Sequence, residues 1–314
     1  MPPYSWAYSL CWRALSIACR CWKKSVTQHL AVPNGHEKRQ EDGMTSGKYL
    51  DLPSVLITGA TGFLGREVVW RLWQSGIRVL AITRTPPKSS PFIPVPCDLT
   101  DDSTDVPEMP GTNCTALIHL AGHYPGGSAK PQTLHERGTA RVIAIARRWN
   151  IDKIIYVSAY GAGLTTPSDF QQTKWTAEEM VSHSGLKYTI VRPHLMVGAG
   201  SPSINWLMHQ GRLPMVALRP VHVADVAETV VRALWLTRTE GKRYELAGPQ
   251  LIPLPVVVGQ HSALGRFKRR LSEQQLERVG ISGLRGGFVD GSWISDFGLL
   301  PRSPITALGT PMQY

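Results

Sequence analysis

The chain has 314 residues, 42% of them hydrophobic and 18% charged, a composition that suits a globular protein large enough for one domain with an annex. No apolar run reaches the roughly 18 residues that cross a bilayer, so no transmembrane span is expected, although contact with a membrane surface stays open. The net charge is +11, but the basic residues are scattered, with one dense patch at Lys268, Arg269 and Arg270. That distribution argues against nucleic acid as a partner and suits a polyanionic cofactor.

Residues 1–50 read as a tail. They hold seven Lys/Arg and three Asp/Glu, and no acid occurs before Glu37. Three readings stay open for this segment: a transit peptide, an inert extension or mis-assigned start, and a membrane-surface anchor. The five cysteines, Cys11, Cys19, Cys21, Cys97 and Cys114, form no C-x-x-C pair and imply reduced thiols. A cytoplasmic location follows, with a mitochondrial or membrane-associated one as the alternative that the basic tail leaves open.

Order is expected from Leu52. Val55-Leu56-Ile57-Thr58 is a short apolar run of the kind a buried parallel strand needs. A helix is predicted over 63–74, ended by Gly76, followed by a strand over 77–83. Further strands are expected at 92–95, 116–120, 153–157, 188–191 and 243–246. Helices are expected at 133–149, 170–184, 204–210 and 223–236, with Asp225 capping the last. Beyond residue 260 the chain reads as helix-poor, apart from a basic helix near 264–278. This alternation predicts an α/β fold with a doubly wound parallel sheet. The domains are then a tail over 1–50, a sheet domain over 51–260 and a small C-terminal substrate or partner annex over 261–314 packing on the cleft.

Between the first strand and helix lies Gly59-Ala60-Thr61-Gly62-Phe63-Leu64-Gly65. In a G-x-x-G-x-x-G loop the first glycine permits the tight turn, the second lets the backbone approach a pyrophosphate and the third lets the helix pack close. The helix N-terminus then presents free N–H groups to the phosphates. The strand before and the helix after meet the context this motif requires, so the loop predicts a Rossmann dinucleotide site. The second strand ends Ile82-Thr83-Arg84, with no acid for a ribose 2′-hydroxyl. Arg84 there favours a 2′-phosphate, hence NADP(H) over NAD(H), and Arg66 adds charge nearby.

With Thr58 to Gly65, Cys97-Asp98-Leu99, His119-Leu120-Ala121-Gly122, Gly138-Thr139, Tyr156-Val157-Ser158, Lys174, Val191-Arg192-Pro193, Val221 to Ala227 and Tyr244 to Pro249, the chain resembles the short-chain dehydrogenase/reductase superfamily in its extended and atypical branches. Within it the pattern is similar to bacterial relatives of the 39-kDa accessory subunit of respiratory complex I, then to NmrA-like proteins. The resemblance implies cofactor contacts from Gly59, Thr61, Gly62, Phe63, Leu64 and Gly65, from Asp98 and Leu99, from Ala121 and Gly122, and from Ser158, Lys174 and Pro193. It leaves Arg192 open between a ligand contact and a buried ion pair.

The departures from the family pattern concern the chemistry. Family dehydrogenases pass a proton through the tyrosine of Tyr-x-x-x-Lys, whose pKa the lysine lowers. Four residues before Lys174 stands Phe170, and a phenyl ring has no proton to give. The serine or threonine that polarises the same oxygen aligns with Ala159, and the helix asparagine with His135. Lys174 is thus the remnant of a degenerate catalytic set. Three functions remain open. The chain is an NADP(H) binder that acts structurally or as a redox sensor. It is instead an oxidoreductase or sugar-nucleotide epimerase with another proton donor, drawn from Tyr160, His123, Tyr124, His194 and His135. Or it is an NmrA-type regulatory module. No metal ligand set is read.

Overall fold

The structure, a computed structural model, describes residues 54–85, 87, 90–101, 107–109, 113–122, 132–163, 168–209, 213–258 and 291–304. The tail, His123, Tyr124, the basic patch at 268–270 and the helix expected near 264–278 lie outside them.

The first βαβ unit follows the apolar pattern closely. Strand β1 (Ser54–Thr58) leads through the glycine loop into α1 (Phe63–Gln74) and β2 (Arg78–Thr83). Val68, Val69 and Leu72 form the buried stripe of α1. A Schellman turn closes the helix, with Gly76 N–H donating to Trp73 O and Ile77 N–H to Leu72 O, both at 3.0 Å. Then come β3 (Ile93–Pro96), β4 (Cys114–His119), α2 (Gly138–Arg148), β5 (Lys153–Val157), α3 (Asp169–Ser182), β6 (Lys187–Pro193), β7 (Met196–Val197), α4 (Pro202–Met208), β8 (Ala217–Leu218), β9 (Val221–His222), α5 (Val223–Ala233), β10 (Lys242–Leu246), β11 (Ile252–Pro253), α6 (Leu254–Val257) and α7 (Gly291–Phe297).

Seven strands form one sheet in the order β3-β2-β1-β4-β5-β6-β10, all parallel. This is the doubly wound Rossmann arrangement. The chain moves outward from β1 through β2 and β3, then returns to β4 on the other side, so the switch point lies between β1 and β4. Both faces are covered, which is why the strands read as continuous apolar runs. Val55, Ile57, Ile118 and Ile155 face one core, shared with α1, α5 and α7. Leu56, Leu117, Ile154 and Tyr156 face the other, shared with α2 and α3.

Four expectations change. The helix expected from 133 starts as a π-helical turn, Thr133–Arg137, before α2 takes over at Gly138. The stretch after Pro193 contains two small paired units, β7 with parallel β9 and β8 with antiparallel β11. Asp225 does not cap α5. His222 does, its Nδ1 accepting from Ala224 N–H at 3.0 Å, while Asp225 sits in the first turn and takes hydrogen bonds from the backbone and side chain of Arg302. The C-terminal stretch contains α7, because Trp293 and Phe297 at i and i+4 bury together in the α1/α5 core. Trp293 Nε1 donates to Thr229 Oγ1 at 2.9 Å, and Tyr244 donates its hydroxyl to Asp296 at 2.7 Å. The described part of the annex, 291–304, therefore lies against α5 and β10. Among the described residues no helix is long and apolar enough to cross a membrane.

Candidate dinucleotide site

The glycine loop leaves β1 at the switch point. Gly59 has φ +74°, and a Cβ there would come within 2.9 Å of Ala121 N and 3.0 Å of Leu120 C. The turn therefore presses on the chain leaving β4, in a conformation that side chains other than glycine rarely adopt. At Gly65 a Cβ would meet Gly59 O at 2.0 Å. That glycine lets α1 start directly on the loop. Gly62 is the N-cap of α1, with no side chain bonded to the first turn and no acid within it. The first-turn amides and the positive end of the helix are thus left to an outside anion. Thr61 is exposed, Phe63 half-buried and Leu64 buried.

Thr58 ties this loop to β4. Its hydroxyl accepts from Ala121 N–H at 3.2 Å, which leaves its proton for His119 Nδ1 at 2.7 Å. His119 then carries its own proton on Nε2 and donates to Thr139 Oγ1 at 3.0 Å. Burial, aided by the Lys174 charge, pushes the imidazole down to about 3, so the ring is neutral. His119 is therefore a strut that fixes 119–122 rather than an acid or base. Sequence reading placed it along the site but missed Thr58 as the hub.

Lys174 reaches the same place from α3. Its ammonium donates to Val157 O at 3.0 Å and lies 5.0 Å from the Tyr156 ring centre. A Cβ on Gly122 would stand 3.3 Å from Lys174 Nζ and 3.7 Å from His135 Nε2, so all three groups meet at the end of β4. Burial lowers Lys174 to about 8, against the opposing pull of Glu178. Thr173 donates its hydroxyl to Phe170 O at 2.9 Å, so His135 Nδ1–H donates to Thr173 Oγ1, also at 2.9 Å. Phe170 itself is half-buried and edge-on to His135, ring centres 5.3 Å apart at 79°. Asp169 beside it is exposed.

The remaining expected residues lie at or just beyond the C-terminal ends of β2, β3, β5 and β6. Ser158 is buried with an unpartnered hydroxyl, Ala159 is half-buried and Pro193 is buried. Arg84 is exposed at the end of β2. Burial acts to raise Asp98, but two hydrogen bonds from Thr100, at 2.9 and 2.7 Å, and the Arg84 charge hold its carboxyl below the usual value. Leu99 is buried beside Gly138. Arg192 is not at the site. It grips the buried Glu178 through two bonds of 2.9 and 2.7 Å, with Arg243 on the same carboxylate and Trp175 under both guanidiniums. Among the described residues no cluster has the ligands for a metal.

The sequence pattern of the NAD(P)H-binding family matches residues 59–237, from the first loop glycine to the end of α5 and its exit. The chain belongs to that family. Among curated relatives, it is 30% identical over 217 residues to the mitochondrial NADH dehydrogenase [ubiquinone] 1 alpha subcomplex subunit 9 of Arabidopsis thaliana, covering 62% of this chain and 54% of that one. It is 26% identical over 253 residues to the subunit of the same name from Dictyostelium discoideum, covering 71% and 70%. The chain thus spans about half the length of the plant subunit. The Bordetella bronchiseptica enzyme WbmH in complex with NAD+ shares the fold, with a TM-score of 0.62, 17% identity and coverage of 81% and 95%. The motif resemblance to relatives of a complex I subunit agrees with these matches, which include the mitochondrial NADH-ubiquinone oxidoreductase 40 kDa subunit of Neurospora crassa at 27% identity, covering 62% of this chain and 55% of that one. The glycine cradle, the uncapped α1 and the buried lysine fit a dinucleotide on their own geometry.

Proposed function

We propose that this chain holds NADP(H) as a resident cofactor with little or no turnover, as a structural element or redox sensor. The observation that carries the reading is the pairing of a complete cradle with Phe170. Gly59 and Gly65 let the loop pack against the chain leaving β4 and the start of α1, Gly62 opens α1 with no side chain over its first turn, and Lys174 stands beside Gly122, yet the position that the resemblance gives to a proton-donating tyrosine holds a phenyl ring packed edge-on to His135. The α1 N-terminus would hold the phosphates, Asp98 and Leu99 would border the adenine, and Ala121, Gly122, Ser158, Lys174 and Pro193 would line the nicotinamide side. Arg84 supports NADP(H), since no acid faces a 2′-hydroxyl from the end of β2. When bound, the cofactor supplies hydride chemistry; the chain's own residues bind and orient it. Two relatives carry the names of NADH dehydrogenase subunits, and a subunit that keeps a cofactor in place within an assembly has no need of the tyrosine.

Mass spectrometry of the ligand released from freshly purified protein tests this reading. NADP or NADPH at close to one per chain is expected. Cofactor-free protein that also fails to titrate with NADPH would overturn it. A second reading, an oxidoreductase or epimerase with another proton donor, draws support from His135 and Lys174 meeting at Gly122. It predicts steady NADPH oxidation with a panel of carbonyl compounds.

A further inference from the structure

Beyond the cradle, the exits of β5, β6 and β10 bring together a second set of polar groups. His194 follows β6 and is 3% exposed, yet neither ring nitrogen has a hydrogen-bond partner. Its backbone is pinned, N–H to Leu246 O at 2.9 Å, and Tyr160 N–H donates to Pro193 O at 3.1 Å. The Tyr160 and His194 rings lie 3.7 Å apart, centre to centre. The exit of β10 also anchors Arg219, through Gly248 N–H to Arg219 O at 3.2 Å. Arg219 NH1 donates to Pro249 O at 3.4 Å, but its Nε is buried and unpartnered. Burial, aided by the Arg219 charge, lowers His194 to about 3, so it is a neutral imidazole with one donor and one acceptor nitrogen. Buried polar groups are nearly always satisfied, and unpartnered donors on His194 and Arg219, whose backbones are both pinned at the exit of β10, are what a missing acceptor leaves.

We propose that His194 and Arg219, walled by Tyr160, form a subsite for a small oxyanion, a carboxylate or phosphate group of a co-ligand. Arg219 Nε–H and the imidazole N–H are both donors, and a guanidinium excludes cations. The group that satisfies both is an anionic acceptor, which also offsets the Arg219 charge. This inference goes beyond the cofactor reading and stands without it.

The test uses the full chain with its histidines labelled with 15N. Imidazole resonances are followed by NMR during titration with inorganic phosphate and, separately, with malonate, each at constant ionic strength. The His194 signal is assigned by its loss in His194→Phe. A saturable shift of that signal is expected with at least one anion, weakened at least tenfold in Arg219→Gln. The anion that binds identifies phosphate or carboxylate as the natural group. Should Arg219→Gln fail to fold, Arg219→Lys keeps the charge without Nε and is expected to lose at least fivefold. No saturable shift with either anion, or equal shifts in wild type and the Arg219 variants, overturns the proposal. NADPH affinity, read by its fluorescence on the same samples, separates the two readings. Loss of NADPH binding with the anion shift intact removes the cofactor proposal and supports this one.

Discussion

The loop between β1 and α1 is specified by backbone, while the ends of β4 and β5 and the start of α3 are specified by single side chains. At the loop, a Cβ at Gly59 or Gly65 would collide with main-chain atoms, down to 2.0 Å at Gly65, while one at Gly62 would only press on Gly59 O at 3.2 Å. At the second region Lys174 sits on Val157 O and the His119 strut is in place, while in the proposed reading Phe170 and Ala159 stand where a proton donor and its polarising partner would be. A cradle constrained by close packing resists change, because one added carbon disturbs folding itself. A reactive side chain on an intact helix is replaced with little cost to the fold. On the proposed reading, binding and turnover are separable properties of this architecture.

The comparison breaks most directly at Gly65. Gly65→Val places carbon against Gly59 O, and a loss of about 3 kcal/mol of stability is expected from overpacking, with NADPH binding no longer measurable by fluorescence titration. Gly62→Ala is milder, since its Cβ would stand 3.2 Å from Gly59 O. It should fold with an unchanged melting midpoint and bind NADPH roughly tenfold more weakly, about 1.4 kcal/mol. Full affinity in Gly62→Ala would place the dinucleotide elsewhere. From the other side, Phe170→Tyr restores a phenol four residues before Lys174. General acid catalysis contributes roughly 10²–10⁴-fold, so NADPH oxidation with a carbonyl panel should rise at least about 100-fold over wild type. A wild type already as fast as the variant sinks the proposal of a cofactor held without turnover.

The two regions also differed in how much their sequence revealed. Helix α1 was legible to the residue, because Gly62 opens it, a buried stripe runs through it and Gly76 closes it. The inner strands β1, β2, β4 and β5 were legible because they are largely apolar runs buried on both sides, whereas β3 and β10 at the sheet edges are only partly buried. What stayed hidden depends on partners far along the chain. The bond from Arg302 to Asp225 spans 77 residues, and the contact of Trp293 with Thr229 spans 64. No local pattern announces either, so Asp225 read as a cap and α7 read as coil. Strands β7, β8, β9 and β11 have two residues each, too short for any periodicity to register. At the site, the motif residues were readable one by one. That His119 would be a neutral strut required knowing that Thr58 and Thr139 flank it.

Lys174 joins the two regions, and its protonation sharpens the comparison. Burial lowers its pKa from 10.5 to about 8. Between these values the unfolded chain binds the proton and the folded chain does not, so this group's contribution makes stability rise with pH over that window. Below pH 8 the buried charge costs about 3 kcal/mol, from 1.36 kcal/mol per pKa unit. Lys174→Met keeps the volume and removes the charge. It is expected to melt higher than wild type at pH 7, with the difference shrinking as pH rises towards 10.5. The same variant should bind NADPH about tenfold more weakly at pH 7, and wild-type affinity should fall towards the variant's above pH 8. Equal melting at pH 7 would show that the ammonium is compensated within the fold, and unchanged affinity would remove it from the cofactor.

Arg84 carries the smallest expected effect, because it is exposed and solvent screens its charge. A 2′-phosphate paired with it gains a charge-assisted hydrogen bond, while NAD gains nothing from the same side chain. Arg84→Ala should weaken NADPH about fivefold, roughly 1 kcal/mol, and leave NADH unchanged. Asp98 complicates this in a useful way. Its carboxylate feels the Arg84 charge and is held by Thr100. Asp98→Asn would free Arg84 from that competition and strengthen NADPH over NADH by a similar factor. Opposite shifts in selectivity from the two variants tie the preference to Arg84. Parallel shifts, or none, assign the choice of cofactor to another part of the cleft.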